Sequence, residues 1–305
     1  MDQQQTTGER VQQHVLGVHG IRQGKTSQRE LAKSWRDALE RGVEQLHGSE
    51  ALNAKSTHPT LQLPHWATLL AEDTGRLSTR HVLPDDETPF TAAEEEFIVQ
   101  ALDDLLTPEE RAYADQVDPT TLGMVKVPPR ITQRAIAYDR RQPDGRVYAL
   151  IHRLREVHVY LTEPELASQI RKYVLQGADD RTTVLLGHSL GSVIAYDLLR
   201  YEEIAAPGTA GMAVHTFVTC GSPLAIPTIQ RGMGLSDGLL APIASHIRWV
   251  NVFDPDDVVT GGAGLAGVAE RVTDIEVDNG IRDPHAAPRY LRTRPVARAV
   301  TAAWS

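Results

Sequence analysis

The sequence predicts an α/β fold, with a mostly parallel central sheet flanked by helices, and three observations carry that prediction. Strand-like apolar runs alternate with helical periodicities along the chain, as expected of strands joined by crossover helices. The run Thr183-Val184-Leu185-Leu186 has no polar alternation after Thr183, which suits a strand covered on both faces. The 305 residues, 41% hydrophobic and 23% charged, are enough for one large core of ordinary globular composition.

Strands are expected at residues 14–18, 61–63, 182–186, 213–219, 247–253 and 272–277. The first helix starts at the capping box Ser27-Gln28-Arg29-Glu30 and buries Leu31, Trp35, Leu39, Val43 and Leu46 at helical spacing. Thr162-Glu163-Pro164-Glu165 repeats the device before Leu166, Ile170 and Val174, with Gly177 as the stop. A helix follows at 193–199, and a closing helix spans 290–304.

Residues 65–145 read as an acidic helical insertion within a single domain of residues 1–305. Thr91-Ala92-Ala93-Glu94 caps one helix with Ile98, Leu102, Leu105 and Leu106 on one face, and Thr107-Pro108-Glu109-Glu110 caps another. Such an insertion can be a lid over a site or a plain surface pair of helices. Asp85 to Asp118 holds twelve acidic residues against one base, Arg111, so the local charge is −11 of a total −9. The remainder is close to neutral and holds no basic cluster, which speaks against a nucleic-acid partner. No apolar stretch is long enough for a transmembrane segment. The N-terminus has no apolar signal region, and the single cysteine, Cys220, suits a cytoplasmic location.

The chemistry centres on Gly187-His188-Ser189-Leu190-Gly191, a G-x-S-x-G string between a strand and a helix. A nucleophile elbow needs that setting, because a strained turn lifts the serine hydroxyl clear of the sheet. GHSLGSVIAYDLL resembles the nucleophile region of the lipase and esterase branch of the α/β-hydrolase superfamily. Thr219-Cys220-Gly221-Ser222-Pro223-Leu224 is similar to the turn after that family's next strand. The resemblance covers residues 13–46 and about 150–305, leaving out the acidic insertion.

The resemblance implies an α/β-hydrolase fold and a Ser-His-Asp triad in the chain order Ser, acid, His. Of twelve histidines, only His285 follows both Ser189 and the acidic loop Asp254-Pro255-Asp256-Asp257. The base is therefore expected at His285, with the aromatic Tyr290 shortly beyond. Asp254, Asp256 and Asp257 compete for the acid, and the family's D-x-V pattern favours Asp257. Two backbone N–H donors of an oxyanion hole are expected at Leu190 and Ile21, each contributing about 3 kcal/mol to the transition state. Gly20 would let the chain turn tightly toward the site.

Together these imply a serine hydrolase cleaving an acyl ester through an acyl-enzyme. The apolar insertion residues Phe97, Ile98, Leu102, Leu105 and Leu106 suggest a small-molecule acyl substrate such as a lipid. A peptidase or thioesterase would use the same triad, and a non-catalytic binding protein could share the fold. No cofactor or metal is expected. Gly24-Lys25-Thr26 is no P-loop, since Gly20 stands one residue too close to Gly24. Residues 262–267 match G-x-G-x-x-G but leave no room for a crossover helix before the next strand, so they are expected to be a flexible loop.

Overall fold

The computed structural model describes residues 13–21, 26–47, 58–70, 88–122, 126–140, 146–201, 214–235 and 238–301. Six parallel strands form one sheet: β1 (His14–Val18), β2 (Thr60–Gln62), β3 (Thr182–His188), β4 (Thr216–Cys220), β5 (Arg248–Phe253) and β6 (Val272–Glu276). Their order across the sheet is β2-β1-β3-β4-β5-β6, and every neighbouring pair is parallel. All carboxyl ends therefore lie along one edge. The chain leaves β1 toward β2 on one side and β3 lies on the other, so a topological switch point falls between β1 and β3. Open parallel sheets place their ligand sites in the crevice there.

One face is covered by α1 (Gln28–His47), α9 (Ala287–Leu291) and α10 (Arg294–Thr301). Val15, Val184, Leu186, Val218, Val250 and Val252 meet Leu31, Trp35, Leu39 and Tyr290 in that layer. The α1 capping box is formed: Glu30 N–H donates to Ser27 Oγ at 3.2 Å, and Ser27 N–H to Glu30 Oε2 at 3.1 Å. The expected closing helix is instead two short ones, α9 and α10, with Arg292 and Thr293 between them. Residues 302–304 of that expected helix lie outside the described residues.

The opposite face carries α2 (Ala92–Leu105), α3 (Pro108–Ala114), α4 (Pro129–Asp139), α5 (Arg146–Thr162), α6 (Pro164–Leu175), α7 (Leu190–Arg200) and α8 (Pro227–Gly232). The capping boxes at Thr91 and Thr107 are both present. The one expected at Thr162 is not. Thr162 ends α5 with its hydroxyl on His158 O at 2.8 Å, and Glu163 occupies the N-cap of α6 without a side-chain cap. Gly177 is small for a packing reason, since a Cβ there would sit 2.3 Å from Pro64 Cγ.

The insertion is welded to this face. Ile98, Leu102 and Ile131 are fully buried in one cluster with Leu185, Val193 and Phe217 of the central layers. Burying side chains of this size stabilises by about 1.5–3 kcal/mol each. Among the described residues, several of the insertion's carboxylates pair with arginines from neighbouring helices. Glu96 pairs with Arg130 at 2.9 Å, Asp103 and Asp115 with Arg134 at 3.1 and 2.8 Å, and Glu94 with Arg155 at 3.2 Å. Asp104 accepts from the Thr228 N–H at 2.6 Å, tying α2 to α8.

Candidate active site

At the end of β3 the chain turns sharply into α7. Ser189 has φ +55°, a left-handed backbone that costs a non-glycine residue about 1–3 kcal/mol. Its N–H stays in the sheet, donating to Cys220 O at 3.1 Å, while its C=O accepts from Ser192 N–H at 2.9 Å. The turn is tight because Gly191 lies on β1, where a Cβ would meet Val18 O at 2.0 Å.

The end of β1 lies directly against that turn. A Cβ on Gly20 would approach Ser189 Cβ to 2.7 Å and its Oγ to 3.3 Å. Gly20 is therefore required for close approach of the chain to Ser189, and its φ is not positive. His19 Nδ1 lies 2.6 Å from Gly20 O, and since a carbonyl only accepts, Nδ1 carries the proton. That bond fixes the Gly20–Ile21 peptide plane, and with it the direction of the Ile21 N–H, which points opposite to Gly20 C=O in a trans peptide. The His19 ring stacks on Trp66 with centroids 4.9 Å apart, and Trp66 Nε1–H donates to His19 O at 3.0 Å. Burial, only partly offset by the Gly20 hydrogen bond, pushes the His19 pKa down to about 3, so the ring is neutral. Leu190 is the first residue of α7, where a backbone N–H has no partner within the helix. Residues 22–25, with Gly24 and Lys25, lie outside the described residues.

After β5 the chain bends through Asp254, Asp256 and Asp257, and the three carboxylates separate. Asp257 is fully buried and faces His285 Nδ1 through both oxygens, at 2.8 and 3.0 Å. It also accepts from Tyr290 OH at 2.7 Å and from Val259 N–H at 2.9 Å. Burial alone would raise its pKa. The electrostatic interaction with His285 and the hydrogen bonds from His285, Tyr290 and Val259 outweigh burial and hold it below the usual value. Asp254 instead braces the backbone, accepting Asn279 N–H at 2.6 Å and Asp256 N–H at 2.8 Å. Asn279 in turn donates to Pro284 O at 2.8 Å, so Asp254 ties the loop after β5 to the loop that carries His285. Asp256 is exposed.

Ser189, His285 and Ile21 line one cavity of about 450 Å³ at the switch point, together with His19, Gly20, His188 and Arg153. A second cavity of about 310 Å³ shares His285, Arg153 and Asp283 with it and reaches Asp257. Asp283 takes φ +51° in a turn closed by Ala286 N–H on its carbonyl at 3.1 Å, and that turn carries His285. Thus four expected site residues, Ser189, Asp257, His285 and Ile21, surround these adjoining cavities, with Leu190 following the serine into α7. The spacing of His19, His188 and Arg153 in the sequence does not single them out. The motif does carry a signal for His188, because a residue next to the serine on a strand end must have its side chain directed elsewhere.

The apolar residues that suggested a lipid-binding lid do not line either cavity. Ile98, Leu102 and Leu106 are buried in the core, and Phe97 and Leu105 pack against it. The loop at 262–267 is not loose but wraps an internal carboxylate. Asp274 accepts from Leu265 N–H at 2.9 Å and Ala266 N–H at 2.7 Å, and a Cβ on Gly264 would strike its Oδ2. Backbone N–H groups that could have bound a phosphate are thus occupied from within.

Among the described residues no group of three His, Cys, Asp or Glu could hold a metal ion, and no helix is long and apolar enough to cross a membrane. The fold and site define an α/β protein with an all-parallel six-stranded sheet and a serine, a histidine and an aspartate at its carboxyl edge. The chain matches no family model, no curated protein and no solved structure.

Proposed function

We propose that this protein is a serine hydrolase of the α/β-hydrolase type, cleaving an acyl ester by transfer to Ser189 and then to water. One observation carries the reading: a fully buried Asp257 carboxylate holds His285 Nδ1, and the His285 ring walls the cavity into which a strained turn presents Ser189. A serine hydroxyl becomes nucleophilic when a neighbouring imidazole removes its proton, and the carboxylate fixes the required tautomer. With Nδ1–H donated to Asp257, His285 Nε2 is left as the base. It takes the Ser189 proton during attack, returns it to the leaving alcohol, and repeats the cycle with water. The N–H groups of Ile21 and Leu190 receive the developing oxyanion.

The chain order Ser189, Asp257, His285, after the ends of β3, β5 and β6, supports the same reading. The substrate class is a small acyl ester. A lipid chain draws no support from α2, whose apolar side chains are consumed by the core. The test is hydrolysis of p-nitrophenyl acetate by purified wild type, Ser189→Ala and His285→Ala. Both variants should keep the wild-type circular dichroism spectrum and lose turnover by about 10⁴-fold or more. Turnover retained by either one would contradict the assignment.

A further inference from the structure

The residue before Ser189 has no part in the triad chemistry, yet its contacts all lead back to the site. His188 ends β3 in register with Cys220 of β4, and is buried. Its Nε2 lies 2.7 Å from the main-chain oxygen of His285, and because that oxygen only accepts, Nε2–H is the donor. The two imidazole rings lie with centroids 4.7 Å apart, tilted by 41°. Trp35 meets the His188 ring edge-on at 6.4 Å, and the Tyr290 ring lies 6.0 Å away.

His285 itself stands in a segment without helix or strand, between the end of β6 at Glu276 and the start of α9 at Ala287. A base on such a segment must still be held to a fraction of an ångström, since a misplacement of about 1 Å can cost about 100-fold in rate. Asp257 holds one end of the ring at Nδ1. On the backbone, Asn279 holds the neighbouring Pro284 O, and the His188–His285 bond adds a hold at the base itself from the residue covalently joined to Ser189.

Resting on the serine hydrolase reading, we propose that His188 is a positioning residue: its Nε2–H grips the His285 carbonyl and thereby sets the distance from the His285 ring to the Ser189 hydroxyl. The bond works as a short strut whose two ends are the nucleophile turn and the base. Histidine suits the position better than the alternatives. Serine and threonine are too short to span from the strand end to that carbonyl. Lysine or arginine would bring a fixed positive charge against an imidazole that becomes positive during catalysis. Burial, reinforced by the nearby His285, pushes the His188 pKa down to about 3, so it remains a neutral donor.

The experiment compares His188→Phe, which keeps the aromatic bulk without the donor, with His188→Gln, whose amide N–H can reach the same carbonyl. Steady-state hydrolysis of p-nitrophenyl acetate gives kcat and KM, and thermal melts report the fold. The Phe variant should lose about 30-fold in kcat with KM within about twofold, and Gln should recover most of that loss. If Phe does not fold, His188→Asn replaces it, since its amide stops short of the carbonyl. Wild-type kcat in the Phe or Asn variant would overturn the proposal. So would equal losses in Phe and Gln, which would assign the effect to packing alone. A wild type that hydrolyses nothing and resists a fluorophosphonate probe would instead overturn the hydrolase reading on which the strut depends.

Discussion

On the sheet face covered by α1, α9 and α10, the buried Tyr290 and His188 aim their hydrogen bonds at the site, whereas on the face covered by α2 to α8 Tyr160, Tyr196 and Arg155 fasten that layer together. Tyr290 reaches Asp257 and the Asp254 N–H, and His188 reaches the His285 carbonyl. Across the sheet, Tyr160 donates to Asp197 at 2.9 Å, Tyr196 to Ala241 O at 2.7 Å, and Arg155 holds Glu94 and the carbonyls of Thr88 and Pro89. Each buried polar group is costly unless bonded. The difference teaches that the same cost is repaid in two ways, as geometry for chemistry on one face and as attachment of the insertion on the other. Substitutions on the two faces should then separate activity from stability.

Asp257→Asn should show the largest effect on the site side. Its amide no longer enforces the tautomer of His285, and kcat should fall about 10⁴-fold while cooperative unfolding persists. Wild-type turnover in this variant would leave Asp257 without its catalytic part. Arg155→Met is the matching test on the other face. It leaves the Glu94 carboxylate, which has a side-chain exposure of 7%, without its charged partner and with the Thr91 N–H at 2.7 Å remaining, and should destabilise by about 3–5 kcal/mol in a denaturant titration. The kcat of the remaining folded protein should be unchanged. A loss of kcat without a loss of stability would join the two faces that the structure keeps apart.

Asp254→Ala sits between these extremes, since it releases the N–H groups of Asn279 and Asp256. A stability loss of about 1–3 kcal/mol is expected, with a smaller fall in kcat than Asp257→Asn because His285 keeps its carboxylate. The smallest effect is a pH dependence. His188 has its pKa lowered from 6.5 to about 3, so below pH 6.5 the unfolded chain binds a proton that the folded chain refuses. Its contribution to stability is complete above pH 6.5 and is lost progressively as pH falls toward 3. In His188→Phe the melting temperature should therefore fall less steeply over that window than in wild type. An identical slope would mean that the buried histidine is not neutral.

Much of this arrangement is legible in the sequence because local rules dominate there. The strands at the centre are continuous apolar runs, and their covering on both faces leaves no competing pattern. Ser189 is legible because a strained strand-to-helix turn needs glycine on both sides, and His285 because its place after the acidic loop is set by chain order. The choice of Asp257 over Asp254 leans on a resemblance, since both stand in the same turn and only the fold decides which faces the histidine. Less legible are features set by partners distant in sequence. The apolar face of α2 reads alike whether it meets a substrate or the core, and only its packing against α4, α5 and α8 decides. The glycines of 262–267 read as a mobile loop because nothing local announces that Asp274 lies within it. The capping box expected at Thr162 fails because α5 runs on to that residue, and its hydroxyl turns back to its own helix.

The central claim is that Ser189 is activated by its surroundings, and intact mass spectrometry after a fluorophosphonate probe tests it most directly. Wild type should gain the mass of one phosphonyl group and Ser189→Ala none. Labelling of both proteins alike, or of neither, would contradict an activated Ser189.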